Sequence, residues 1–302
     1  MTTPGLAALL GPNSVTEFLA ESWPHEPFEV HGLTNEVDAL TSIPFLKSLE
    51  EMAAQWPGQV QVHLPDVKDE SSAIDARPLE AMKLFANKMA LLFNNVHTQS
   101  PVLQEWLLAI AKDLGLPNST YARCMVYATP DGKGTAPHFD QNINFVLQLH
   151  GTKTWWLAPN MSVENPTERF TMGQPIDPEL ASYAYEAMPT EMPEPQRKVV
   201  LNPGSMLFVP RGYWHRTEAE GEALALNFTF NQPTWIDLFT LALKSRLLLS
   251  PDWRELADGA GARDSVTRAK AAGRFNSLLA DLIEDLPNWR ADDILAATEG
   301  WD

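Results

Sequence analysis

The chain has 302 residues, 44% hydrophobic and 20% charged, with a formal net charge of −17 and a single cysteine. That length is enough to bury a full core, as one large domain with an appendage or as two small ones. The acidic balance opposes direct binding to a nucleic-acid backbone, which needs clustered Lys and Arg, and the lone Cys124 excludes an internal disulfide and fits a reducing, cytoplasmic compartment.

At the N-terminus, Met1-Thr-Thr-Pro-Gly-Leu-Ala-Ala-Leu-Leu-Gly has no basic start and only a short apolar run, so neither a signal peptide nor a membrane span is expected. A short helix is predicted from Ser14, with Ser14 as N-cap and Glu17 three residues later, followed by an extended Phe28-Glu-Val-His-Gly. Gln59-Val-Gln-Val-His-Leu alternates in period two and predicts a strand, and residues 66–76 read as a charged loop. Apolar residues at helical spacing predict helices over 79–94 and 101–115. From Arg123 to Phe230 the pattern changes to short β runs separated by turns, over 124–128, 137–140, 144–149, 153–158, 198–201, 205–210 and 223–230, the signature of an all-β sandwich or barrel. The Pro-, Glu- and Met-rich segment between Pro159 and Gln196 is of a length expected for a functional lid or a disordered insertion. Beyond Pro233, helices are predicted over 235–249 and 268–286.

The residues that carry most chemistry are His138 and Asp140. Side chains two apart on a strand share a face, so this His-x-Asp pair can reach one metal ion from one strand. His215, after the strand-like Ser205-Met-Leu-Phe-Val-Pro210 and the turn Arg211-Gly-Tyr, is the candidate third ligand. Two histidines and a carboxylate on one side of a metal leave the other positions open, as a non-haem Fe(II) oxygenase requires. Strand 223–230 divides into an apolar face (Leu224, Leu226, Phe228, Phe230) and a small polar one (Ala223, Ala225, Asn227, Thr229), suited respectively to a core and a ligand cavity. Arg123, Met125 and Tyr127 share a face that lines either the substrate side or the core. One of Trp155 and Trp156 is expected in the core and the other beside the pocket. His150 reads as a surface turn residue, and His25, His31, His63 and His97 as structural.

Together, Pro137-His-Phe-Asp-Gln, Gly151-Thr-Lys-Thr-Trp-Trp, Asn202-Pro-Gly-Ser-Met-Leu-Phe-Val-Pro-Arg-Gly-Tyr-Trp-His215 and Leu226-Asn-Phe-Thr resemble the JmjC-type cupin oxygenases that use Fe(II) and 2-oxoglutarate. Within that family the chain looks most like the ribosomal oxygenases and related bacterial hydroxylases, a likeness that extends to the entry segment Phe18-Leu-Ala-Glu-Ser-Trp-Pro. The resemblance implies a mainly β fold, a double-stranded β-helix (jelly roll) with flanking N-terminal helices and a C-terminal helical region. Residues 1–232 would form the catalytic domain, and residues 233–302 a helical region that serves in dimerisation. It implies His138, Asp140 and His215 as iron ligands, and Lys153 as the partner of the distal carboxylate of 2-oxoglutarate, with Thr135, Asn144 and Asn227 as further cosubstrate contacts. The implied reaction consumes O2 and hydroxylates a C–H bond of an amino-acid side chain in a peptide, a protein or a free amino acid, with N-methyl-lysine demethylation as a variant of the same chemistry. Glu186, Glu191 and Glu194 of the lid segment would attract a basic target.

Only about 70 residues follow Gln232, fewer than the helical dimerisation region plus winged-helix-like domain of ribosomal oxygenases, which tells against ribosomal protein as the substrate. Two rivals stand beside the oxygenase: a cupin using another divalent metal for different chemistry, which would not need Lys153, and a non-enzymatic cupin-like binding protein, which would not need an intact triad.

Overall fold

The structure, a computed structural model, describes residues 3–11, 14–35, 37–64 and 72–299. The first third interleaves short helices with strands: α1 (Leu6–Leu10), α2 (Val15–Glu17), β1 (Phe28–Val30), α3 (Asp38–Thr41), α4 (Leu49–Gln55), β2 (Val60–His63), β3 (Ala73–Ala76), α5 (Pro78–Ala86), β4 (Ala90–Phe93) and α6 (Pro101–Asp113). The β region follows as β5 (Tyr121–Thr129), β6 (His138–Phe139), β7 (Ile143–Ala158), β8 (Phe170–Thr171), α7 (Pro178–Tyr183), β9 (Arg197–Leu201), β10 (Met206–Val209) and β11 (Trp214–Asn231). The chain closes with α8 (Trp235–Leu247), α9 (Ser265–Asp285) and α10 (Ala291–Glu299).

The described strands join one antiparallel sheet in the order β1-β10-β7-β11-β5-β4-β2-β3, with β9 on the far half of β7, the short β6 beside the start of β11, and β8 beside β6. This is the expected double-stranded β-helix with helices before and after it. Its spine is the pairing of β7 with β11, which runs from Trp214 opposite Ala158 to Phe230 opposite Ile143 and breaks register near Glu220–Ala225. From sequence, β7 is expected as two strands parted at its bend, and only the second half of β11, residues 223–230, is expected as a strand. Gly151 makes the bend possible in β7: its φ is +65°, and a Cβ there would stand 2.0 Å from the Glu222 carbonyl oxygen.

Faces sort as the alternation requires. Leu224, Leu226, Phe228 and Phe230 join Phe145 and Phe208 in the main core, against Leu9, Leu10 and Phe18 of the N-terminal elements and Trp106 of α6. The opposite face of the sheet buries Val146, Trp155, Leu157, Leu207 and Ala225 in a smaller cluster. Beneath residues 159–196, Phe139, Val163, Phe170, Met172, Leu180 and Trp214 form a third. The segment over 159–196 is therefore not a disordered insertion: it has its own strand, helix and packed base.

Ser14 makes no capping bond, and after α2 the chain widens into a π-type turn over Phe18–Ser22 that places Phe18 in the core against Phe28 and Phe208. The helix expected over 79–94 stops at Asn87, where Lys88 adopts φ +67°; the apolar run beyond is β4, paired with β2 and β5. A short apolar run does not by itself separate a strand from a buried helix, and here sheet pairing decides. Of the loop expected over 66–76, residues 66–71 lie outside the described residues, whereas Ala73–Ala76 is β3, paired with β2.

The C-terminal helices, with residues 117–120, form a second compact unit. Thr234 and Asp237 close a capping box on α8, and Arg246 reaches Asp285 of α9 through two bonds of 2.8 and 2.6 Å. Among the described residues, no helix is long and apolar enough to cross a membrane.

Candidate metal centre

His138 sits in β6, which pairs with the start of β11 so that His138 and His215 are register partners. The sheet thus brings together two imidazoles distant in sequence, their ring centroids 4.1 Å apart. Asp140, two residues on, returns to the same side, with Oδ2 3.8 Å from His215 Nε2. One ligand atom from each of the three lies within 4.8 Å of the others, the only such His, Cys, Asp or Glu group among the described residues.

Backbone carbonyls fix the imidazole tautomers. His138 Nδ1 lies 2.7 Å from the Ala136 oxygen and His215 Nδ1 2.9 Å from the Tyr213 oxygen. A carbonyl only accepts, so each Nδ1 carries the proton and donates it, leaving the Nε2 lone pair for a metal. Burial, reinforced by the neighbouring His138, pushes the pKa of His215 down to about 4, which keeps the ring neutral and able to ligate near neutral pH.

Asp140 is held at both oxygens. Oδ2 accepts from Asn144 Nδ2 at 3.4 Å, and Oδ1 faces Arg169 Nε at 3.4 Å. Asn144 is fixed in turn, because its Oδ1 accepts from Thr229 Oγ1 at 2.7 Å and from Asn227 Nδ2 at 3.3 Å. Asn144 and Thr229 are opposite one another in the β7–β11 register, so the sheet itself sets this network.

Lys153, 4% exposed, donates to Thr129 Oγ1 on β5 at 2.7 Å. Thr135 meets Thr217, whose Oγ1 lies 3.0 Å from both its backbone nitrogen and its hydroxyl. Gly134 permits that approach, since a Cβ there would come within 1.7 Å of the Thr217 carbonyl oxygen. A cavity of about 180 Å³ is lined by the triad together with Lys153, Thr135, Asn144 and Asn227, so all seven sequence candidates meet in one place.

Arg123, Met125 and Tyr127 line the cavity. Trp155 is both buried and at the cavity, stacked on His215 with centroids 5.6 Å apart, whereas Trp156 lies on the other side of the strand beneath Arg216. His150 is exposed, but it is a strand residue 3.0 Å from the Leu46 carbonyl oxygen rather than part of a turn. Glu186, Glu191 and Glu194 are exposed and none lines the cavity. Sequence reasoning missed Arg169, which no spacing rule could place because its position depends on how the insertion folds. It also missed Thr217, which the same-face rule applied from His215 would have found.

The donor set fits a divalent ion that accepts imidazole and carboxylate and keeps open positions, and a buried ammonium in the same cavity fits a carboxylate-bearing cosubstrate. A family profile described as JmjC domain matches residues 102–238. The uncharacterized protein YxbC of Bacillus subtilis (strain 168) is 32% identical, over 99% of this chain and 92% of its own length. The bifunctional lysine-specific demethylase and histidyl-hydroxylase NO66 of Drosophila persimilis is 24% identical over 75% of this chain, which spans only 31% of that longer protein. Among solved structures, YcfD, a ribosomal oxygenase from Escherichia coli in complex with cobalt and 2-oxoglutarate, superposes with a TM-score of 0.52 at 17% identity, covering 87% of this chain and 66% of that one.

Proposed function

Because this chain belongs to the JmjC-domain family, we propose that it is an Fe(II)- and 2-oxoglutarate-dependent oxygenase that hydroxylates a C–H bond of an amino-acid side chain, with a peptide or protein as the favoured substrate class. The observation that carries this reading is the His138–Asp140–His215 group, its histidines buried and its carboxylate half-buried, sharing one cavity with the Lys153 ammonium. The named activities of NO66 and the ligands of YcfD support it.

In this reading His138 Nε2, His215 Nε2 and one Asp140 oxygen hold Fe(II). Asn144 and Arg169 fix the carboxylate so that it presents one oxygen. Lys153, steadied by Thr129, neutralises the distal carboxylate of 2-oxoglutarate; Thr135, Asn144 and Asn227 contribute hydrogen bonds around it. When bound, the iron and its cosubstrate supply the oxidising power, converting 2-oxoglutarate and O2 to succinate and CO2 while one oxygen atom enters the substrate C–H bond. The protein's part is to preset ligand geometry, place the cosubstrate's charge and limit water, the last aided by Trp155 packed on His215.

Succinate release from 2-oxoglutarate should require both Fe(II) and O2 and should be lost in His215→Ala. Metal-independent release, or none with iron bound across a broad peptide panel, would refute the reading.

A further inference from the structure

We infer that the substrate presents a carboxylate to Arg123, an inference that rests on the oxygenase reading of the cavity. The triad cavity continues into a groove of about 470 Å³, a size typical of ligand sites, and the two share Arg123, Tyr127 and Arg169. Sheet register carries this groove away from the metal: Tyr127 on β5 stands opposite Leu92 on β4, which stands opposite Gln61 on β2. Asn94 Nδ2 donates to Gln61 Oε1 at 3.1 Å, so the floor is polar and largely neutral, and residues 169–177 of the insertion form the other wall.

The charge around this path is opposite to that of the molecule. The chain carries −17, yet among the described residues the carboxylates lining cavity and groove are only Asp140 and Asp177. Asp140 is engaged with Arg169 and the metal ligands, and Asp177 caps α7 by accepting from the Glu179 N–H at 2.7 Å. Lys153 lies in the triad cavity and is committed to the cosubstrate.

Arg123 remains. Its Nε is buried and accepted by no group among the described residues, and its guanidinium neighbours the Tyr121 ring at 5.8 Å. A guanidinium donor shut away from water without an acceptor is costly, and the acceptor that fits its planar fork is a carboxylate bound through two parallel hydrogen bonds. Arg123 lines both spaces, so it sits where the groove opens onto the metal and would hold the substrate's anionic group beside the carbon that is oxidised. The lid glutamates, which would have favoured a basic target, lie elsewhere. The carboxylate could belong to an acidic side chain within a peptide or to the main-chain end of a free amino acid; both offer Arg123 the same chemistry.

The test is calorimetric titration of the full chain, loaded anaerobically with Fe(II) and 2-oxoglutarate, with the capped tripeptides acetyl-Ala-Glu-Ala-amide, its Gln isostere and its Lys counterpart, and with free alanine against alaninamide. The carboxylate member of at least one pair should bind about tenfold more tightly than its neutral partner. Preference in the capped series assigns an acidic side chain, and preference in the free series an α-carboxylate. Arg123→Gln should abolish the preference and Arg123→Lys should keep part of it, so a folding defect in one variant does not decide the matter. Equal binding within each pair, a preference for the Lys peptide, no binding of any carboxylate probe, or a preference indifferent to Arg123→Gln overturns the assignment. The visible band of the iron–cosubstrate complex, recorded on the same samples, separates the two failures: with the band present only the Arg123 assignment falls, and with it absent the oxygenase reading falls.

Discussion

In the proposed role, His138, Asp140 and His215 would owe their geometry as ligands to the neighbours that preset them. Asn144 links Asp140 to Thr229 and Asn227, so Asn144→Leu should lower Fe(II) affinity by roughly 10- to 100-fold while leaving the fold intact, measurable by competition with a metallochromic chelator. Lys153→Met removes a buried charge-assisted donor; the 2-oxoglutarate needed for half-saturation should rise about tenfold or more with iron affinity unchanged. Unaltered cosubstrate affinity would remove Lys153 from that role. The His138–Asp140 pair was legible in its strand-like spacing, though Asp140 falls just past the end of β6, and His215 was legible in the strand and turn that precede it. Lys153, Thr135, Asn144 and Asn227 became candidates through the family likeness, and the structure brings them to the same cavity. Arg169 was illegible, since its approach to Asp140 comes from the tertiary fold of the insertion and leaves no periodic trace.

At the scale of elements, alternation in β11 foretold which side chains enter the core, but it could not tell a turn from a bend within a strand. Gly151 was read as a break and is instead the pivot of β7, where positive φ and the nearby Glu222 carbonyl exclude any side chain. Gly151→Val should therefore abolish soluble expression or lower the melting temperature sharply, whereas Gly11→Val, also at positive φ but with open space around its Cβ, should cost far less. Trp106, fully buried and stacked near Phe228, should cost about 3–5 kcal/mol when truncated to Ala, readable by urea denaturation. In the C-terminal unit, bonds from Arg246 and then Trp289 hold the Asp285 pKa down at about 2, below the ordinary 3.8. A depressed carboxylate contributes its full stabilisation above the unfolded-state value and loses it as pH falls through the folded one. Acid titration of helicity should therefore show a loss between about pH 4 and pH 2 that is smaller in Asp285→Asn.

For the whole molecule, the C-terminal unit leaves the large apolar side chains of Trp235, Ile236, Leu249, Val266 and Ile283 exposed. We propose that residues 235–290 pair with a second copy; sedimentation at micromolar concentration should give a dimer, and a monomer there would rule this out. The insertion over 159–196 stands at the cavity through Arg169 and forms a wall of the groove, so part of the groove's shape and charge comes from a segment whose composition alone suggested a lid. The central claim, that one cavity holds Fe(II) through the triad and 2-oxoglutarate through Lys153, is tested most directly by anaerobic titration of metal-free protein with Fe(II) and then 2-oxoglutarate. A visible charge-transfer band should appear, vanish in His138→Ala and require far more 2-oxoglutarate in Lys153→Ala. Iron demonstrably bound at the triad with no band at saturating 2-oxoglutarate would contradict the account.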